Sequence, residues 1–131
     1  MKLGVFLPTI IITPACATDA AIDVPDQPVL VEFWTGGDDG LTQRLAVEVR
    51  SELEQSPAFR LAGAHTPGAL VVRIPTHVGW RRFDRRTRVT YQLEIDRAGR
   101  RLTRRSGNCW ESDLALCARQ IIRSIRRAAT L

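Results

Sequence analysis

Aromatic residues, histidine and methionine are scarce in this sequence of 131 residues. Aromatic residues make up 6%, and the chain contains two histidines, one methionine and three cysteines. Seven prolines and nine glycines are too few for a collagen-like or low-complexity chain. After residue 17 no apolar run approaches the roughly 20 residues that a membrane-spanning helix needs. The composition indicates one globular domain, and the chain is too short for a two-domain enzyme.

Motifs that mark catalytic sites are also missing. The sequence contains no G-x-S-x-G, no H-E-x-x-H, no P-loop and no G-x-G-x-x-G. His65 and His77 lie in turn-rich or interrupted segments, where a histidine is usually a surface or turn residue. Gly36-Gly37 precedes a helix, but Asp38 and Asp39 would repel an anion there and are typical helix caps. We therefore expect no enzymatic activity, no cofactor and no metal site.

The first 17 residues, MKLGVFLPTIIITPACA, have the layout of a secretory signal. Lys2 precedes an apolar run, and small residues follow it. In one interpretation, cleavage occurs after Ala17 at an A-x-A site. In the other, Cys16 ends a stretch similar to a bacterial lipobox and is lipidated, although Thr13 stands where a lipobox usually has Leu. Both interpretations predict an exported protein that is periplasmic or an outer-membrane lipoprotein.

Charge is distributed unevenly along the rest of the chain. Loss of the signal removes the one lysine and leaves 18 arginines against 14 acidic residues. Residues 18–80 carry four arginines and nine acids, whereas residues 81–131 carry 14 arginines and five acids. The segment from Trp80 to Arg105 alone holds ten arginines. This asymmetry indicates a basic surface in the second half of the chain.

Two cysteines, Cys109 and Cys117, remain once Cys16 is removed or lipidated. In an oxidising compartment such a pair most simply forms a disulfide. A redox-active pair is expected at C-x-x-C spacing, and neither histidine is close enough in sequence to suggest a metal site. We predict a structural disulfide between Cys109 and Cys117.

The pattern of apolar residues predicts the element order β-α-β-β-β-α. We predict strands over residues 29–35, 70–74, 89–95 and 100–105, and helices over residues 41–55 and 112–129. The second strand is expected to continue to Phe83 after a break near Pro75 or Gly79. Residues 59–61 are interpreted as a short extended link, and Cys109 as part of the loop before the last helix.

The predicted domain covers residues 29–131, after a tether of residues 18–28. Its fold class is α+β, with a single sheet of about four strands and two helices packed on it. Asp38 or Asp39 is expected to cap the first helix.

This element order is accompanied by the segment LAVEVRSELEQSPAFRL, residues 45–61. An amphipathic helix that ends in Leu-x-x-Ser-x-x-Phe and leads into a strand resembles periplasmic accessory domains of three kinds. These are the N-terminal domain of TolB, CsgG-like domains and LpoB-like lipoprotein domains. The resemblance covers residues 29–129 in element order. It implies an anticodon-binding-like α/β fold and a non-catalytic role as an envelope scaffold or partner activator, and it carries over no functional residue.

The segment from Trp80 to Arg88 interleaves two aromatic residues with five arginines. The candidate binding residues are Trp80, Arg81, Arg82, Phe83, Arg85, Arg86 and Arg88. Alternation along the strands predicts that Arg88, Arg101 and Arg105 face away from the core. A second interpretation is a solvated hairpin whose charges prevent edge pairing.

We predict an exported, non-catalytic cell-envelope protein that acts as a scaffold or partner-binding accessory domain. The expected partner is another envelope protein. The alternative is an anionic membrane or polysaccharide surface that binds the 80–105 hairpin, because exported proteins meet these polyanions more often than nucleic acid.

Overall fold

The computed structural model describes residues 4–5, 8–9 and 27–131. The predicted lipidation site Cys16 lies outside the described residues. So do the predicted signal, except for residues 4–5 and 8–9, and the predicted tether, except for residues 27–28. The described elements are β1 (Val29–Thr35), α1 (Gly40–Gln55), β2 (Phe59–Leu61), β3 (Leu70–Ile74), β4 (Gly79–Phe83), β5 (Arg86–Arg97), β6 (Arg100–Trp110), a 3-10 turn (Glu111–Asp113) and α2 (Leu114–Ala129). Neither of these helices has the length and apolarity to cross a membrane.

The six strands form one mixed sheet. β1 lies parallel to both β2 and β3, and β3 lies antiparallel to β5. β4 pairs with the first half of β5, on the same edge as β3, and β6 covers the opposite edge of β5. The class α+β is confirmed, but the sheet has six strands rather than about four. Two differences account for this: residues 59–61 pair with β1 as an edge strand, and the predicted second strand divides into β3 and β4 at residues 75–78.

The two helices form because each carries one apolar stripe, and both stripes face the same side of the sheet. In α1 the side chain of Asp39 accepts the amide of Thr42 at 3.1 Å and so satisfies a donor at the helix start. Leu45, Val49 and Leu53 of α1 are fully buried. The stripe of α2 is also buried and consists of Leu114, Cys117, Ala118, Ile121, Ile122, Ile125 and Ala128. The packed helices and the inward residues of the strands form one hydrophobic core.

Alternation in β5 matches the sequence prediction. Its inward residues are Val89, Tyr91, Leu93 and Ile95, and each is at most 3% exposed. The turn into β6 passes through Ala98 and Gly99, whose φ values of 51° and 75° place both in the left-handed region that a tight hairpin of this kind needs. Strand β6 then pairs with β5 along ten positions.

A β-bulge changes the direction of several side chains in β6. Ile95 pairs with Thr103 and Asp96 pairs with Arg101, so Leu102 is the extra residue. Leu102 packs against the core. Arg101 faces away from the helices as predicted, but Arg105 pairs with the inward Leu93 and lies on the helix side. The prediction for Arg105 is therefore wrong, because the bulge shifts the alternation by one residue.

The disulfide Cys109–Cys117 is present, with 5.6 Å between the two Cα atoms. Cys109 is the second-to-last residue of β6 rather than part of a loop, which corrects the sequence interpretation. Both cysteines are at most 1% exposed, on the face covered by the helices. The bond therefore ties the end of β6 directly to the first turn of α2.

Replacing both Cys109 and Cys117 with Ser should lower the free energy of unfolding by about 2–3 kcal/mol, because the short closed loop no longer restricts the unfolded chain. Chemical denaturation of the two proteins measures this difference. Thiol titration of the unfolded wild-type protein without reductant should find no free thiol at these positions. Two titratable thiols would contradict the assignment.

The substitution Ile121→Asp should prevent folding, because it places an unpaired charge at a fully buried position of the helix–sheet interface. Arg119→Asp, on the exposed side of the same helix, should change stability by no more than about 0.5 kcal/mol. Circular dichroism and thermal melting compare the two variants. Similar behaviour of both would show that the assigned face of α2 is wrong.

Candidate interaction surface

The side of the sheet away from the helices carries polar, charged and aromatic residues. On β5 these are the alternate residues Arg88, Thr90, Gln92, Glu94 and Asp96. Neither α1 nor α2 packs on this side. We call it the helix-free face.

One end of the helix-free face holds an arginine–aromatic cluster, which consists of Arg81, Phe83, Arg86, Arg88 and Trp110. The strand register places these residues together. Arg81 and Trp110 pair with Arg88 from opposite edges of β5, and Phe83 pairs with Arg86 in the neighbouring row. Residues directly opposite each other in a sheet share a face. Three strands therefore contribute to a single patch.

The guanidinium groups of the cluster lie over aromatic rings. The Arg86 and Arg88 guanidinium carbons lie 3.7 Å and 4.8 Å from the ring centroid of Trp110. The Arg81 guanidinium carbon lies 5.5 Å from that of Phe83. The two rings meet edge to face, with 6.2 Å between centroids. Each exposed cation–π contact contributes about 0.5–1 kcal/mol, so these contacts hold the arginines in place without neutralising their charge.

Acidic partners are missing from this end of the face. In the described residues no carboxylate oxygen lies within 4.0 Å of a guanidinium nitrogen of Arg81, Arg86 or Arg88. Arg88 instead bonds the side-chain oxygen of Asn108. Phe83 is 48% exposed although it is a large apolar residue. The cluster therefore combines positive charge that carries no counter-charge with accessible aromatic surface.

Arginines at the opposite end of the helix-free face are paired with acids. Asp96 accepts from Arg73 at 3.0 Å and also from Arg101, and Glu94 bonds Arg101 and Arg104. The bond to Asp96 raises the pKa of Arg101. Each of these three arginines has a carboxylate partner, so this end is an ion-pair network in which two carboxylates offset most of the positive charge.

Beyond that network, β1 contributes a buried carboxylate. Glu32 is 5% exposed, and its oxygens accept the indole N–H of Trp34 at 3.0 Å and the backbone N–H of Thr66 at 2.9 Å. These hydrogen bonds, led by that from Trp34, lower the pKa of Glu32. Trp34 is 46% exposed. Its indole is thus held at the β1 end of the helix-free face.

The predicted site residues divide between the two faces of the β4–β5 ribbon. Trp80 pairs with the inward Val89, and Arg82 pairs with Thr87, so both lie on the helix side. Trp80 is nevertheless 67% exposed, because the ribbon extends past the helices. Arg85 lies in the turn after Asp84, whose φ is 51°. The structure joins Arg81, Phe83, Arg86 and Arg88, and it separates Trp80, Arg82 and Arg85 from them.

Trp110 is the member of the cluster that sequence reasoning missed. The predicted edge strand ended at Arg105, which left Trp110 in a loop beside the disulfide. Strand β6 continues to residue 110 and brings Trp110 opposite Arg88. Cys109 is bonded to Cys117 of the apolar stripe of α2, so its side chain must face the helices, and extending the strand through it would have placed Trp110 on the other face.

His77 belongs to a separate cluster at the start of α1. Its Nδ1 lies 2.5 Å from Oδ1 of Asp39, and the hydroxyl of Thr42 donates to the same oxygen at 2.5 Å. The Thr42 hydroxyl also accepts the backbone N–H of Val78 at 3.0 Å. The bonds from Thr42 and His77 lower the pKa of Asp39, and the bond to Asp39 raises the pKa of His77. The cluster fastens the segment between β3 and β4 to the helix N-terminus.

This cluster caps the start of α1 and holds the β3–β4 connection against it. Residues 75–78, which carry His77, connect β3 to β4 and end at the buried Val78. In the part of the chain that the structure describes, no group of three or more His, Cys, Asp or Glu residues is placed to hold a metal ion.

The His77–Asp39 contact should make stability depend on pH. The raised pKa of His77 means that its contribution is fully present below its ordinary value of 6.5 and is lost as pH rises through the raised value. The lowered pKa of Asp39 means that its contribution is present above 3.8 and is lost as pH falls. His77→Gln should therefore destabilise the protein more at about pH 5.5 than at about pH 9. Equal differences in unfolding free energy at the two pH values would contradict this account.

Two solved structures share this fold. A minor lipoprotein from Acinetobacter baumannii is 15% identical, with a TM-score of 0.54, and the match covers 79% of this chain and 95% of the lipoprotein. TolB from Acinetobacter baumannii is 18% identical, with a TM-score of 0.52, and the match covers 82% of this chain but only 29% of TolB. These likenesses agree, at the level of the fold, with the resemblance to TolB and lipoprotein domains. No protein-family model matches the chain, and no curated protein matches it in sequence.

Proposed function

We propose that this chain is an exported, non-catalytic accessory protein of the cell envelope that binds another envelope protein through the arginine–aromatic cluster. The observation that carries the proposal is the cluster itself, in which three arginines with no acidic partner among the described residues frame two aromatic rings on the helix-free face. Export is supported by the signal-like residues 1–17 and by the disulfide. The fold shared with a lipoprotein and with part of TolB supports an envelope role.

The composition of the cluster favours a protein partner. Tryptophan and arginine are enriched among the residues that dominate binding energy at protein interfaces. A rim of positive charge around an aromatic centre suits a partner surface with a central apolar residue and carboxylates beside it. Cation–π contacts already order the arginine side chains, so less side-chain entropy is lost when the partner binds.

An anionic membrane or polysaccharide is the second candidate. The observation in its favour is the exposed charge near the turn between β4 and β5. Arg82 on the helix side and Arg85 in the turn add to the positive charge of the cluster. The ion-pair network around Glu94 and Asp96 argues against it, because the helix-free face is not basic over its whole width. A broad anionic plane would also meet these carboxylates. We therefore place the protein partner first.

The test compares two double variants of the same ribbon with the same change in net charge. Arg81→Glu with Arg86→Glu alters the helix-free face, and Arg82→Glu with Arg85→Glu alters the helix side and the turn. The tagged protein, expressed in its own host, is crosslinked and purified, and the proteins that co-purify are compared. A discrete partner should remain with the Arg82/Arg85 variant and be lost, by about tenfold or more, from the Arg81/Arg86 variant.

Equal retention of the partner by both variants would overturn the assignment of the surface. Equal loss from both would indicate binding by charge alone, as expected for the second candidate. Flotation with anionic phosphatidylglycerol vesicles then measures membrane binding directly. If the wild type binds the vesicles, both variants fail to bind and moderate salt abolishes the binding, the second candidate replaces the first. Circular dichroism verifies that each variant remains folded.

A further inference from the structure

An open cleft lies between the outer edge of β6 and helix α2. Its volume is about 360 Å³. Residues from β6 and from one side of α2 line it, among them Arg105, Gly107, Gln120, Arg123 and Arg127. The cleft therefore has a strand edge as one wall and a helix as the other.

The strand-edge wall presents backbone groups that can accept another strand. β6 is 11 residues long, and within the described residues it pairs with β5 alone. In the same part of the chain, one side-chain hydrogen bond reaches its backbone, from Gln120 Nε2 to the carbonyl of Asn108 at 3.1 Å. An unpaired edge of this length is a template for strand addition.

Gly107 leaves room for a side chain of the neighbouring strand. A Cβ at this position would lie 2.3 Å from the hydroxyl oxygen of Tyr91 and 2.8 Å from Oε1 of Gln120. The Tyr91 hydroxyl donates to Gln120 Oε1 at 3.0 Å, and burial raises the pKa of Tyr91. Because Tyr91 is 3% exposed, its hydroxyl fills the space beside Gly107 on the helix side, and Gln120 lines the cleft there.

The helix wall and the inward side of β6 supply positive charge. Arg105, Arg123 and Arg127 all line the cleft, and no carboxylate oxygen of the described chain lies within 4.0 Å of their guanidinium nitrogens. Arg123 and Arg127 are one helical turn apart, a rise of about 6 Å. Alternate residues of an extended strand are about 6.6–6.8 Å apart, so carboxylates at every second position match this spacing.

We propose that this cleft binds an extended acidic peptide of a partner protein, which adds as a strand to the outer edge of β6. Its backbone bonds the edge of β6, and its alternate carboxylates pair with Arg105, Arg123 and Arg127. This mode of recognition takes affinity from main-chain hydrogen bonds and selectivity from alternate side chains. No residue of the arginine–aromatic cluster lines the cleft, but the side chain of Asn108 at its rim bonds Arg88 of the cluster. The proposal does not rest on the proposed function, and its variants at Arg123 and Arg127 leave the cluster unchanged.

The probe is a synthetic peptide of four Glu-Thr repeats with blocked ends, titrated into the full mature chain with its disulfide intact. Binding is followed by amide chemical shifts and by fluorescence anisotropy. The shifts should appear in β6 and α2, and a Lys-Thr peptide should not bind. Replacing Arg123 and Arg127 with Glu should weaken binding by about tenfold or more. The control is Arg119→Glu with Arg126→Glu on the same helix, which makes the same change in net charge. Both positions lie outside the cleft, so this variant should bind the peptide like the wild type.

Two further peptides carry N-methyl groups on the Glu amides or on the Thr amides. Strand addition uses the amides of one peptide edge, so at least one of these peptides should lose binding by about tenfold or more. Unchanged binding of both would overturn strand addition, and equal binding by the Arg123/Arg127 variant and its control would overturn the location. Absence of binding at about 1 mM Glu-Thr peptide would overturn the proposal as a whole.

Discussion

Packing of both helices on one face of the sheet is the constraint on which the rest of the structure depends. The stripes of α1 and α2 bury the inward residues of the strands, and the Cys109–Cys117 bond fixes α2 to the end of β6. Within residues 27–131 this two-layer arrangement places no covering layer on the second sheet face. The side chains of that face do not contribute to the hydrophobic core, so polar and charged residues are favoured there. Its residues are therefore available for contacts with other molecules.

The helix-free face meets this requirement differently at its two ends. Around Glu94 and Asp96 each arginine forms an ion pair with a carboxylate, which offsets most of the positive charge of this part of the face. Around Trp110 the arginines lie over aromatic rings instead, which orders them, and no carboxylate of the described residues compensates their charge. Exposed ion pairs contribute little to stability, and so do exposed cation–π contacts. The difference between the ends therefore bears on recognition more than on folding.

Local patterns in the sequence predicted the parts of the fold that depend on local chemistry. The sequence predicted the stripe of α1, the alternation of residues 89–95 and the disulfide pair, and it limited the cap of α1 to Asp38 or Asp39. Features set by strand pairing were not predicted. Residues 59–61 become a strand only because β1 lies beside them.

The candidate surface shows the same division. The sequence indicated the arginines and aromatics of residues 80–88, but it could not divide them between the two faces or add Trp110, because register decides both. The bulge at Leu102 had a signal in retrospect. Leu102 and Cys109 are an odd number of residues apart, so a regular strand cannot bury both.

The central claim is that the helix-free face, at the arginine–aromatic cluster, is the surface that meets an envelope partner. Site-specific photo-crosslinking in the native host tests it most directly, with a photoreactive phenylalanine analogue at Phe83 or, separately, at Val47. Phe83 is 48% exposed in the cluster, and Val47 is 63% exposed on α1, on the opposite layer. The account predicts a discrete crosslinked partner from Phe83 and none from Val47. Crosslinks from Val47 without any from Phe83 would contradict it.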